Sequence, residues 1–444
     1  MRKLLGTVLC LALLASLFTG FAMAEGTNLR FIDVSPSPVR QEYFETTFAK
    51  FQEETGIAVT YESVPWDDAA NKLTVLGTSG QLPDVMTTWA GWLGQFTAAN
   101  WVLPLNSYIE GTESEYADTV TKLVWKGEKE LYGNYYTVPD GVMVKGVYVR
   151  KDWAAEAGLA LDPAKGWTYG EYFDAVRKLT DSAKNHYGTS FRGARGAFDP
   201  LFVYLESMTG GKAYADDGSA LFNTPEAVEG YKTWCGLYLD GCAPKDAINW
   251  GFVEMVDNFT GGLTGTLIND SEVAATCIAT MQDDQWMVMP MPKSDVDGKI
   301  YNTVNSPYAY SISTNSKNPD AAWKLIEFLT RPDNNIEYCK LTGLIPVKKA
   351  VGDDPFYGPD GYYAAFVQQL NDPAMVVPCA FGPFSYTDMH QGMMHEEMQK
   401  YLLGQQDAET SLGNVANELE ARMKQYLADN PGSAVEQPKA LSEG

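Results

Sequence analysis

From residue 29 to residue 86, short apolar runs alternate with longer stretches of helical period. LRFIDV, residues 29–34, has the length and apolar content of a buried strand, and Ser37 and Pro38 read as N-cap and first position of a helix through residue 54. IAVTYESV, residues 57–64, repeats the strand pattern, residues 67–77 repeat the helical one, and Pro83-Asp84 leads into the apolar pair Val85-Met86. A β-α-β-α-β succession closes as right-handed units of a parallel sheet. Ligands of such sheets sit beyond the carboxyl ends of the strands. The loops at residues 34–37, 65–67 and 87–89 are therefore the first places to look for a site.

Ahead of this pattern, Arg2 and Lys3 precede an apolar run over residues 4–18 that ends in Ala22-Met23-Ala24, the layout of a cleavable secretory signal over residues 1–24. Thr7, Ser16, Thr19 and Gly20 interrupt it before the roughly 20 apolar residues a membrane span needs. Cys10 sits too early for a lipid-modified cysteine. The expected location is outside the cytoplasmic membrane, in the periplasm or at the cell surface. Lys and Arg number 33 against 57 Asp and Glu, a formal charge of −24 that excludes a general basic surface for nucleic acid or anionic lipid. Of the 6 cysteines, those beyond the leader are odd in number, so disulfides do not organise the fold. Cys235 and Cys242 either bridge locally or are two buried thiols. The 444 residues suit three ordinary domains or two large lobes. Residues 431–444, rich in Pro, Gly, Ser and Glu, read as a disordered tail.

A series of short motifs in fixed order narrows these options. Phe48-Ala49-Lys50-Phe51 precedes Thr55-Gly56-Ile57, followed by Val64-Pro65-Trp66-Asp67-Asp68 and Gly80-Gln81-Leu82-Pro83-Asp84-Val85. Tyr136-Thr137-Val138-Pro139-Asp140-Gly141, Tyr148-Val149-Arg150-Lys151-Asp152 and Trp167-Thr168-Tyr169-Gly170-Glu171 come next, then Asn315-Ser316-Lys317-Asn318-Pro319-Asp320-Ala321-Ala322-Trp323. Each is weak alone; in this order they resemble the extracellular solute-binding proteins of family 1. The resemblance implies an α/β fold of two lobes, the type II-like periplasmic-binding-protein arrangement, each lobe a mainly parallel sheet flanked by helices. Hinge crossings are expected near residues 138–139, 289–290 and 330–332. Lobe one would hold residues 25–138 plus 290–330, and lobe two residues 139–289 plus 331–430. The implied function is capture of a sugar or oligosaccharide between the lobes and delivery to the permease subunits of an ABC importer, by a monomer without cofactor or catalysis. A sensor passing its closed shape to a membrane receptor, or a binder of a non-sugar solute such as a phosphate ester, fits the same residues.

A neutral sugar asks for aromatic faces against its C–H surface and for amides, carboxylates or Arg against its hydroxyls. Among 11 Trp and 25 Tyr only position can select. Trp89 follows the third strand and is the first candidate; Trp92 reads as packing. Ser35 and Ser37 lie after the first strand, where Ser37 serves equally as a helix cap, and Asp67 has the same two readings. In the second lobe, Arg192 and Arg195 sit in a Gly-punctuated loop and can offer guanidinium forks; if both face the cleft, an acidic sugar fits. Trp250, then Asn269 and Asp270 after a short strand, occupy the place where the family carries an aromatic contact, so recognition by a carboxylate is expected there. Tyr308 stands where the family has a Gly-rich turn, and Phe384 or Tyr386 would supply a stacking ring.

Enzyme readings find less support. A glycosidase needs two carboxylates roughly 5 to 10 Å apart, and nothing marks one of Asp67, Asp84 or Asp270 as its acid. His390 and His395 lack the spacing that puts two zinc ligands on one helical face, and no GxxxxGK[ST] loop occurs. Asp295-Val296-Asp297-Gly298 reads as a turn rather than a calcium loop.

Overall fold

The computed structural model describes residues 26–306, 308–349, 354–379 and 392–440, with the Asp67 side chain outside that description. Ten strands are described: β1 (Asn28–Asp33), β2 (Ala58–Ser63), β3 (Val85–Thr88), β4 (Met143–Arg150), β5 (Thr266–Asp270), β6 (Trp286–Pro290), β7 (Val304–Asn305), β8 (Ala309–Ile312), β9 (Val376–Val377) and β10 (Lys439–Ala440). The first sheet has the order β2-β1-β3-β8. β1 runs parallel to β2 and to β3, and β8 closes the edge antiparallel to β3.

Local chemistry fixes these elements. Ser37 is extended and its side chain accepts the Arg40 N–H, Pro38 opens the helix Pro38–Thr55, and Gly56 ends it in the left-handed region at φ 73°. One face of that helix buries Phe44, Phe48 and Phe51 against Leu29, Phe31 and Val85 of the sheet.

The second sheet has the order β5-β4-β6, with β7 also on β4. Here the expected mainly parallel arrangement needs correction, because β4 is antiparallel to β5, β6 and β7 alike. All eight residues of β4 are buried, and a strand covered on both faces carries no local sign of the direction in which its neighbours run. The parallel part of this lobe is an irregular arm beyond β5, where the Gly265 N–H donates to the Tyr187 carbonyl at 2.7 Å and the Ser190 N–H to the Thr266 carbonyl at 2.8 Å.

Three stretches tie the sheets together. Val138 bridges Tyr310 of the first sheet, and four residues later Val142 bridges Ile345. The return crossing falls between β7 and β8, not at residues 289–290, because Asn302 locks the intervening segment to β4. Its Nδ2 donates to the Lys145 carbonyl at 2.8 Å and its Oδ1 accepts the Lys145 N–H at 3.2 Å. At the third, the helix Pro332–Thr342 lies against Pro38–Thr55, with the Tyr43 hydroxyl donating to the Asn334 carbonyl at 2.9 Å. A buried charge cluster ties the first and third of these crossings to the first sheet. Arg40 pairs with Asp33 at 2.6 Å and donates to the Tyr338 hydroxyl, which donates to Asp140 at 2.6 Å. Burial pushes the Asp140 carboxyl up to about 7, with Arg40 and Tyr338 opposing.

Two further expectations meet the structure here. Cys235, Cys242, Cys277, Cys339 and Cys379 are all free and buried. Residues 431–440 are not a loose tail: β10 pairs antiparallel with β9, Val435 is 5% exposed, and the Cys379 thiol donates to the Glu436 carbonyl at 3.0 Å.

Candidate ligand-binding site

A cavity of about 810 Å³ is walled by residues from both sheets and the loops beside them. Its lobe-one wall is aromatic. Trp66 opens the helix Trp66–Thr78 directly after β2, Trp89 follows β3, and Tyr308 precedes β8. The Trp66 ring stands edge-on to Trp89 (5.8 Å, 80°) and to Tyr308 (5.7 Å, 82°), and it stacks on the buried Trp92 (5.0 Å, 24°). Trp89 lies so close over Gly91 that a Cβ there would meet its ring at 2.0 Å, so the glycine is what lets the indole fold down. Ser35 hydrogen-bonds Tyr308, whose hydroxyl burial and the nearby Glu272 push up to about 12. The Arg40 guanidinium covers the Tyr308 ring at 5.0 Å.

The lobe-two side is charged. Lys145 points from β4 and is held by Asp199 at 2.7 Å and Asp270 at 3.0 Å, with its side chain 1% exposed. Burial lowers its pKa, yet the two carboxylates outweigh that and keep it protonated. Asp199 belongs to the helix Phe198–Met208, which presents Asp199, Phe202, Val203 and Glu206 to the cavity at helical spacing. Arg192 and Arg195 both line it, and the Arg192 Nε–H donates to the Arg195 carbonyl at 2.8 Å. Gly196, at φ 82°, makes room for that guanidinium, since a Cβ would meet it at 2.5 Å. Phe252 and Glu254 close the rim, and Glu272 follows β5. Burial first and Asp270 second push the Glu272 carboxyl up to about 7.

Of the candidate residues, Ser35, Trp89, Arg192, Arg195, Asn269, Asp270 and Tyr308 come together on this one cavity. Others do not. Ser37 caps its helix. Trp250 is 4% exposed and donates its indole N–H to Asp246 at 3.2 Å, a packing role set by the short 3₁₀ turn before it. Asp270 lines the cavity but spends its carboxylate on Lys145, so it is not the free acceptor expected there. Asp67 lies inside a helix that begins at Trp66, and Phe384 and Tyr386 lie outside the described residues. Both arginines reach the cleft, yet Asp199, Asp270, Glu254 and Glu272 offset them and Lys145, leaving no cationic excess for an acidic sugar.

Sequence reasoning did not single out Trp66, Lys145, Asp199, Glu206 or Glu272. A lysine amid the apolar run of β4 is the one strong signal among them, because such a position demands buried counter-charges.

Two α/β lobes joined by repeated crossings, with a cavity of rings and paired charges between them, define a two-lobe binding protein. The chain belongs to the bacterial extracellular solute-binding protein family, which it matches over residues 35–336. A binding protein of Brucella abortus is 24% identical over 385 residues, 86% of this chain and 90% of that one. A galactooligosaccharide-binding protein of Bacillus subtilis is 24% identical over 318 residues, 69% of this chain and 70% of its own length. Among solved structures, a solute-binding protein of Thermotoga lettingae with α-D-tagatose superposes with a TM-score of 0.73 at 21% identity, covering 90% of this chain and 100% of that one. Maltose-bound MalE3 of T. maritima gives 0.72 at 20%, over 89% and 100%. Family and neighbours alike are binding proteins. No helix among the described residues is long and apolar enough to cross a membrane.

Proposed function

We propose that this chain is an extracytoplasmic carbohydrate-binding protein that takes a sugar between its lobes and presents the closed form to the permease of an ABC importer. The observation that carries this reading is the asymmetry of the cavity, with rings on the lobe-one wall and hydrogen-bonding side chains on the other. A pyranose has the same two aspects, C–H faces that stack and hydroxyls that bond. The offset charges favour a neutral sugar over an anionic one. Names borne by relatives, galactooligosaccharide-binding and maltotriose-binding, support the same class. Closure requires contacts on both lobes, because a ligand shifts an equilibrium only by its differential affinity for the two states. Secretion by the leader, action as a monomer and the absence of a lipid anchor belong to this proposal.

A thermal-shift screen of the chain from Glu25 against neutral sugars, uronic acids, oligosaccharides and phosphate esters tests it. A ligand at 100 times its Kd adds about 2.7 kcal/mol of stability. The expected result is a large shift with a neutral sugar that Trp89→Ala abolishes. A shift with phosphate esters alone, or none with any sugar, overturns the carbohydrate reading.

A further inference from the structure

Within the cavity three buried polar atoms have no hydrogen-bond partner among the described residues: Glu206 Oε1, Thr303 Oγ1 and Asn269 Nδ2. Leaving such a group unpaired costs free energy, and native proteins rarely tolerate it. Several at one cavity mark where a ligand supplies the missing partners.

Glu206 carries the most information. It is 2% exposed and stands seven residues after Asp199 on the helix Phe198–Met208, two turns or about 10 Å along its axis, with Phe202 and Val203 between them. The Lys145–Asp199 pair and Glu206 are thus two polar positions separated by an apolar stretch of one helix face. We infer that Glu206, with Thr303, is a ligand contact that reads the second ring of an oligosaccharide whose first ring sits between Trp89 and Lys145. The inference rests on the carbohydrate reading and deepens it by setting the ligand's length, since a single ring cannot reach both positions.

The state of the carboxyl suits that task. Burial, reinforced by the nearby Glu436 carboxylate, holds Glu206 well above the ordinary carboxylate range and so favours its protonated form. A neutral acid offers one O–H donor and one carbonyl acceptor, the complement of a sugar hydroxyl that both accepts and donates.

The test is calorimetric titration with glucose, maltose, maltotriose, galactose and galactotriose, using the unsubstituted chain, Glu206→Leu and Glu206→Met. Expected is binding of an oligosaccharide at least about tenfold tighter than its monosaccharide, and loss of about that factor in Glu206→Leu. The same substitution should raise the melting temperature of the unliganded protein, because it removes an orphaned polar group. A merely structural glutamate would not separate stability from affinity in this way. If Glu206→Leu does not fold, Glu206→Met, close to glutamate in length but with neither the O–H donor nor the carbonyl acceptor, should still weaken the oligosaccharide several-fold. Unchanged oligosaccharide affinity in the variants, or a monosaccharide binding as tightly as its oligosaccharide, overturns the inference and leaves the carbohydrate reading standing. Failure of all five sugars, with a shift from another solute class, removes both.

Discussion

At the scale of single residues the chain is governed by charges it buries. Lys145 is the clearest case, an ammonium in the middle of an apolar strand whose two carboxylate partners come from residues 199 and 270. Removing one member of such a group leaves the others buried and unpaired, which costs about 3–5 kcal/mol in dry interiors. Asp199 and Asp270 are 25% and 13% exposed at the cavity, so Lys145→Met is expected to lose about 3 kcal/mol, the low end of that range. The triple variant with Asp199→Asn and Asp270→Asn should recover most of the loss, which urea denaturation of both proteins can measure. A loss under about 1 kcal/mol for Lys145→Met would show that the carboxylates are already solvated. Residues of this kind were only partly legible in advance. Trp89 and the Arg192–Arg195 loop were found because a strand end and a glycine pattern mark them locally. Asp199 and Glu206 look like ordinary polar residues of an amphipathic helix, and only the fold shows that their face meets a cavity.

At the scale of elements, local rules succeeded where a segment carries its own punctuation. Ser37-Pro38 and Gly56 bound the first helix, and Thr168 with Glu171 forms a complete capping box on Tyr169–Leu179. They failed where a partner distant in sequence decides. The direction of β4 against β5 and the lock of Asn302 on Lys145 are contacts across more than a hundred residues, with no trace in either segment. The C-terminal segment is the sharpest failure. Its composition reads as disorder, yet one apolar residue, Val435, is buried and the strand Lys439–Ala440 finds an edge at Val376–Val377. Pro438 also lies against Gly211, whose missing Cβ would meet it at 2.9 Å. Val435→Asp should therefore release the segment at a cost of about 1–3 kcal/mol. Hydrogen exchange should then quicken at Asn302 and Val376, whose neighbouring Val377 pairs with Lys439. Unaltered exchange there would mean that the segment contributes nothing to the lobe it covers.

Across the whole molecule, the same habit of burying carboxyls sets a pH dependence. Burial holds Glu128 in the first lobe at about 7 against the bonds it accepts from Thr137 and Tyr136, Asp140 at the hinge is also near 7, and Glu206 in the second lobe lies well above its ordinary range. Glu272, near 7, faces the cavity, and its share is discounted for solvent. Each of these folded-state values exceeds the unfolded one, so the folded protein binds more protons between about pH 4 and 7. Their stabilisation is complete below about pH 4 and is lost as pH rises through 7. Carboxyls shifted the other way, such as Asp152 beside Arg150 and Asp354 beside Lys340, lose their contribution only below about pH 4, outside that window. A charge of −24 acts in the same direction, since protonation relieves self-repulsion. Melting temperature should therefore climb as pH falls from 8 to 5. Because the shifted groups sit in both lobes and at the hinge, the gain should appear in the whole transition rather than in one lobe. The pair Glu128→Gln and Asp140→Asn should flatten the climb, each removing a dependence of up to about 1.4 kcal/mol per pH unit within the window. A stability maximum at pH 7.5 or above in calorimetric scans would mean that water or cations reach these carboxyls in solution, and that the lobes close less tightly around them.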